Sequence, residues 1–122
     1  MRNKNILVFG STGFIGRSIV KRLLSDEYKV LCPVRNPASV KHNILSGDIG
    51  QIEVFDFDLH DLSNLEILIK KSDVVLNLIG LLFEKSSMSF ELAHFLLPKK
   101  ISFYTEKYNK PFLHVSSLGS SY

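Results

Sequence analysis

The chain has 122 residues, 45% of them hydrophobic and 22% charged, a profile that excludes disorder and leaves room for one globular domain spanning residues 1–122. Its net charge of +3 is spread over lysines such as Lys4, Lys21, Lys41, Lys70, Lys71, Lys99, Lys100 and Lys110 with acids among them, so no nucleic-acid-binding face is implied. The lone Cys32 sits in an apolar run, which points to a small buried thiol in a reducing compartment and away from a disulfide or a metal centre.

The chain alternates short apolar runs with longer amphipathic ones. "NILVFG" (5–10), "KVLCPV" (29–34), "IEVFDF" (52–57), "DVVLNLI" (73–79) and "PFLHVSS" (111–117) have the length and near-continuous apolar character of strands buried on both faces. After the first, Ile15, Ile19 and Leu23 recur at helical spacing with Val20 and Leu24 beside them. The stretch from Pro37 to Gly50 carries a weak helical pattern at Ala38–Leu45 and then a loop. Asp61–Ser72 is expected to be a helix with Asp61 as its N-cap and Leu62, Leu65, Leu68 and Ile69 facing inward. Ser89–Asn109 is long enough for another, broken near Leu97 by Pro98. Strands joined by crossovers of this length run parallel with right-handed connections, which predicts an α/β, Rossmann-like doubly wound sheet of order 3-2-1-4-5.

The longest apolar run, Val74 to Phe83, is interrupted by Asn77 and is too short to cross a bilayer. The N-terminus enters a strand pattern without a signal peptide, so a cytoplasmic location is expected.

"GSTGFIG" (10–16) follows the first strand and opens the first helix, where backbone N–H groups and the positive helix end can hold a pyrophosphate. Gly10 would permit the tight turn, Gly13 the approach of the phosphates, and Gly16 the close packing of helix on sheet. Ser11 and Thr12 offer hydroxyls to the same phosphates. A nucleotide-triphosphate loop is excluded, because no Gly-Lys-Ser/Thr ending follows. At the end of the second strand stands Arg35, where an acid would bind the 2′-hydroxyl of NAD and an arginine accommodates the 2′-phosphate of NADP. NADP(H) is therefore the preferred cofactor, with NAD(H) the alternative. Arg17 reads equally as a second phosphate partner or as an exposed helical arginine.

Asp58 follows the third strand, where its carboxylate would either accept the adenine amino group or cap the strand end. His60 between Asp58 and Asp61 lacks the further ligands of a metal site. His94 and His114 lie in apolar surroundings, more in keeping with core or edge positions than with catalytic bases. "NLIG" (77–80) ends the fourth strand at the topological crevice, and Gly80 there would either let the chain pass close to a cofactor or simply turn.

Together, "VFGSTGFIGR", "VRNP", "GDIGQIEVFDFDLHD", "DVVLNLIGLLFE" and "LHVSSLGS" resemble the atypical or extended short-chain dehydrogenase/reductases. They are most similar to the branch containing the NADPH-binding accessory subunit of respiratory complex I and its bacterial relatives. The resemblance covers nearly the whole chain and implies NADP(H) held by Gly10, Thr12, Gly13, Phe14, Ile15 and Arg35. It places Asp58 and Leu59 near adenine, Leu78, Ile79 and Gly80 near its ribose, and Ser116 on the cofactor side of the fifth strand.

Catalytic members use a Tyr-x-x-x-Lys pair in which lysine lowers the tyrosine pKa. Here Tyr28, Tyr104 and Tyr108 are followed four residues on by Cys32, Tyr108 and Phe112, and Leu118 stands near the place of the orienting hydroxyl. No catalytic residue is assigned. The chain reads as the cofactor-binding half of a longer protein, cut after the fifth strand. The favoured function is a non-catalytic NADP(H)-binding module related to complex I accessory proteins. The alternatives are the first half of an NADP-dependent oxidoreductase or epimerase, and a remnant with weak cofactor affinity. Leu81, Leu82 and Phe83, beside an unpaired strand edge, are expected to drive self-association or docking on respiratory-complex subunits, at the inner face of the membrane.

Overall fold

Five runs of aliphatic side chains form one parallel sheet in the computed structural model, which describes residues 4–35, 37, 51–79 and 91–115. In chain order the elements are β1 (Asn5–Phe9), α1 (Phe14–Ser25), β2 (Lys29–Val34), β3 (Ile52–Asp56), α2 (Leu65–Lys71), β4 (Val74–Asn77), a π-helical segment (Leu92–Leu96), α3 (Leu97–Lys107) and β5 (Phe112–His114). The strand order is β3-β2-β1-β4-β5, as the alternation of strands and crossovers predicts. Expectations for Ala38–Leu45 and for Leu81–Phe83 lie outside the described residues.

Side chains alternate across β1, and that alternation builds two cores. Ile6 and Val8 point to one face and pack with Val20 and Leu24 of α1 and with Val30 and Cys32 of β2. Leu7 and Phe9 point to the other and pack with Leu65, Leu68 and Ile69 of α2 and Leu97 and Ile101 of α3. All of these side chains are buried, and each one taken out of water contributes about 1.5–3 kcal/mol. With helices on both faces the sheet can be apolar on both, which is why its strands read as continuous runs.

Two helices depart from their expected form. α2 starts at Leu65 with Asn64 as its N-cap, three residues later than an Asp61 cap would place it. The intervening residues are spent on a turn: Asp61 N–H donates to Asp58 O at 2.9 Å, and the Asp61 carboxylate accepts from Ser63 N–H at 3.1 Å. Asn64 then anchors the helix start by donating from Nδ2 to Asp56 O, 3.0 Å away. Ahead of Pro98, the expected break takes the form of the π-helical segment, whose closing bond runs from Leu97 N–H to Leu92 O. Proline can neither donate to nor tolerate the carbonyl four residues back, and a widened turn relieves both problems.

No helix of the described residues is long and apolar enough to cross a membrane. β5 closes one side of the sheet, and Leu113 on it is 58% exposed.

Candidate functional site

The carboxyl ends of the strands meet where α1 leaves the sheet on one face and α2 and α3 cover the other. β1 and β4 are paired there through Phe9 and Asn77, the last residues of the two strands. Open sheets bind ligands in this kind of crevice.

Gly10 follows β1 with φ +86°, a conformation that favours glycine. A side chain at Gly10 would also strike the backbone leaving β4, coming within 2.7 Å of Leu78 C and 2.8 Å of Ile79 N. Gly10 O accepts from Gly13 N–H at 3.3 Å and is pressed against Gly16, which has no space for a side chain. Two of the three glycines are thus required by the packing of the protein itself. Gly13 is different: as N-cap of α1 it has φ −76° and ψ 172°, extended backbone that any residue adopts. It provides no capping side chain, and the first turn of α1 has no acid. The positive end of this twelve-residue helix therefore has neither a capping side chain nor an acid in its own first turn.

The remaining loop residues divide by exposure. Phe14 and Ile15 stand out at 81% and 48% exposed, while Thr12 is half-buried at the loop surface. Ser11, expected to offer its hydroxyl to the phosphates, is buried and lies close to the Cys32 thiol. Its Oγ makes no hydrogen bond of good geometry among the described residues, although its proximity lowers the thiol pKa slightly. Burial dominates and pushes Cys32 up to about 11.

Arg35 is exposed immediately after β2. Across from it β3 ends at Asp56, also exposed and in register with Val34. Asp58 Oδ1 accepts from His60 N–H at 2.9 Å, so one oxygen of this half-buried carboxylate caps its own turn. Leu59 packs on the core, next to the region where Phe57 meets Phe9 edge to face with ring centroids 5.2 Å apart. Leu78 and Ile79 are buried at the exit of β4. Gly80 and Ser116 lie outside the described residues. Among the described residues no three metal-ligating side chains are grouped to hold an ion.

One constellation goes beyond what the sequence pattern indicated. Asn77, wholly buried, joins its amide to two partners: Oδ1 accepts from Ile79 N–H at 3.1 Å and Nδ2 lies 3.1 Å from Nδ1 of His114. The polar residue interrupting an apolar strand was the available signal for it.

Residues 6–121 match the model of the NAD dependent epimerase/dehydratase family. The chain is 38% identical over 111 residues to the mitochondrial 40 kDa subunit of NADH-ubiquinone oxidoreductase from Neurospora crassa, a match covering 90% of this chain and 30% of that protein. It is 34% identical over 116 residues to mitochondrial NADH dehydrogenase (ubiquinone) 1 alpha subcomplex subunit 9 from Mus musculus, covering 93% of this chain and 31% of that one. The chain therefore spans less than half the length of these curated relatives. Among solved structures, uronate dehydrogenase from Agrobacterium tumefaciens shares the fold, with a TM-score of 0.74 at 20% identity over 96% of this chain and 42% of that one.

Proposed function

The chain belongs to the NAD dependent epimerase/dehydratase family, and from that premise we propose that it forms the NADP(H)-binding part of a subunit related to the complex I accessory proteins. The observation that carries the reading is Gly13. Its backbone does not require glycine, yet a glycine stands at the uncapped positive end of α1, where a Cβ would obstruct an approaching phosphate. Gly10, Thr12, Gly13, Phe14 and Ile15 hold the pyrophosphate and the adjoining ribose, with Gly16 keeping the helix close behind them. Leu78, Ile79 and Gly80 border the cofactor from β4, and Ser116 does so from beyond β5. Asp58 and Leu59 line the adenine end, and the exposed Arg35 meets the 2′-phosphate with a charge-assisted hydrogen bond.

Such a cofactor supplies hydride chemistry when bound. This chain's residues bind and orient it, and none of them is assigned to proton transfer. The dinucleotide then serves assembly or sensing, with the module docked peripherally on a membrane-bound respiratory complex, in line with the names of its relatives. Calorimetric titration with NADPH and NADH at one low salt concentration tests the reading. Binding of NADPH in preference to NADH is expected, and no binding of either overturns it.

A further inference from the structure

The crevice wall at the exit of β4 is held by two neighbouring hydrogen bonds. Leu78 N–H is bonded to Phe9 O at 2.8 Å, but Ile79 N–H donates to the Asn77 side chain. That bond helps hold the chain where it presses on Gly10, since Ile79 N is among the backbone atoms that a Gly10 side chain would strike. A backbone N–H only donates, so Asn77 must turn Oδ1 toward Ile79 and Nδ2 toward His114. Nδ1 of His114 must then be the unprotonated nitrogen, with the ring hydrogen on Nε2. Protonated His114 would point an N–H at the amide's own N–H. Rotating the amide by half a turn only moves the conflict to Ile79. Asn77 is fully buried and cannot turn to water for the lost bond, whereas the exposed His114 ring can.

We infer that Asn77 and His114 are a proton-sensitive positioning pair: neutral His114 holds the β4 exit against the glycine turn, and protonation releases it and weakens dinucleotide binding. The affinity arm rests on the functional reading above, while the coupling between the residues does not. Partial desolvation of the otherwise exposed ring first, and then the charge of His94 on the π-helical segment, lower the His114 pKa from the ordinary histidine value. Of the described titratable groups on the elements packed around β5, including Lys99, Lys100, Glu106 and Lys107 of α3 and Asp73 before β4, His94 alone acts on it. The neutral, latched form therefore holds at neutral pH and gives way only below the ordinary histidine pKa.

The test uses the whole chain, isotope-labelled for NMR and without ligand, titrated from pH 8 to pH 5. The His114 ring, the Asn77 side-chain amide and the Ile79 backbone amide should shift with one common midpoint. Titration of His114 while Ile79 stays still overturns the proposal. In parallel, NADPH affinity is followed over the same range for the wild type and for His114→Asn, whose amide oxygen can accept from Asn77 without titrating. Each unit by which NADPH lowers the His114 pKa corresponds to a roughly tenfold loss in acid, and the variant should lack that loss. The titration of the cofactor's own phosphate is common to both proteins. An identical acid step in the variant overturns the proposal, whereas absence of binding at every pH overturns only the dinucleotide reading and leaves the NMR titration to decide the pair.

Discussion

A methyl group on Gly16 would lie 2.0 Å from the carbonyl oxygen of Gly10, two turns of chain pressed together with no space for a side chain. The obstacle is backbone and cannot swing aside. Gly16→Ala should therefore destabilise the fold by at least about 2 kcal/mol, read as a lower urea midpoint. An unchanged midpoint would mean that α1 does not sit on the glycine turn as described.

Gly13→Val separates binding from folding. The extended backbone at Gly13 accepts valine, and the loss of stability should stay within about 1 kcal/mol. NADPH binding, followed by fluorescence or calorimetry, should disappear. Retention of wild-type affinity places the pyrophosphate elsewhere.

Arg35→Asp addresses cofactor choice. Removing a charge-assisted bond of about 1.5–3 kcal/mol should weaken NADPH roughly ten- to a hundredfold. NADH has no 2′-phosphate and should be little affected. Parallel losses for both dinucleotides would remove Arg35 from the 2′-phosphate site.

The Cys32 thiol should resist modification. With its pKa pushed up to about 11, only about one thiol in a thousand is ionised at pH 8, and the side chain is buried. A disulfide reagent should label native protein slowly and urea-unfolded protein fast, and NADPH should slow the native reaction further by holding the loop over Ser11. Because the folded pKa lies above the unfolded one, the protonated thiol's contribution is complete below the ordinary thiol pKa and is lost as pH rises toward 11. Rapid native labelling would contradict this burial.

The sheet was legible in the sequence because its physics is local to each strand. "KVLCPV" becomes Lys29–Val34 without a shift of boundary, and the order 3-2-1-4-5 follows from parallel crossovers. Gly10 and Gly16 could be identified from spacing, although the reason for Gly16 is a contact with Gly10 that spacing alone cannot show. Polar side chains were harder to place. Asp61 has the chemistry of a helix cap but accepts from Ser63 in a turn, and Ser11 has the chemistry of a phosphate ligand but is buried near Cys32. Each choice depends on which neighbour the fold brings near. The Asn77–His114 pair joins residues from two strands, so the polar Asn77 in its apolar run is a signal that does not name the partner.

The central place of β1 also governs how the molecule comes into being. Ile6 leaves the ribosome well before one of its sheet partners, Val74, which emerges only after α1, β2, β3 and α2 have been made. The β1–β2 pair can form early, with one flank of β1 still unpaired and apolar. Completion of the sheet then waits on long-range loop closure, the slow kind of folding step, and the waiting intermediate is the species most in need of a chaperone.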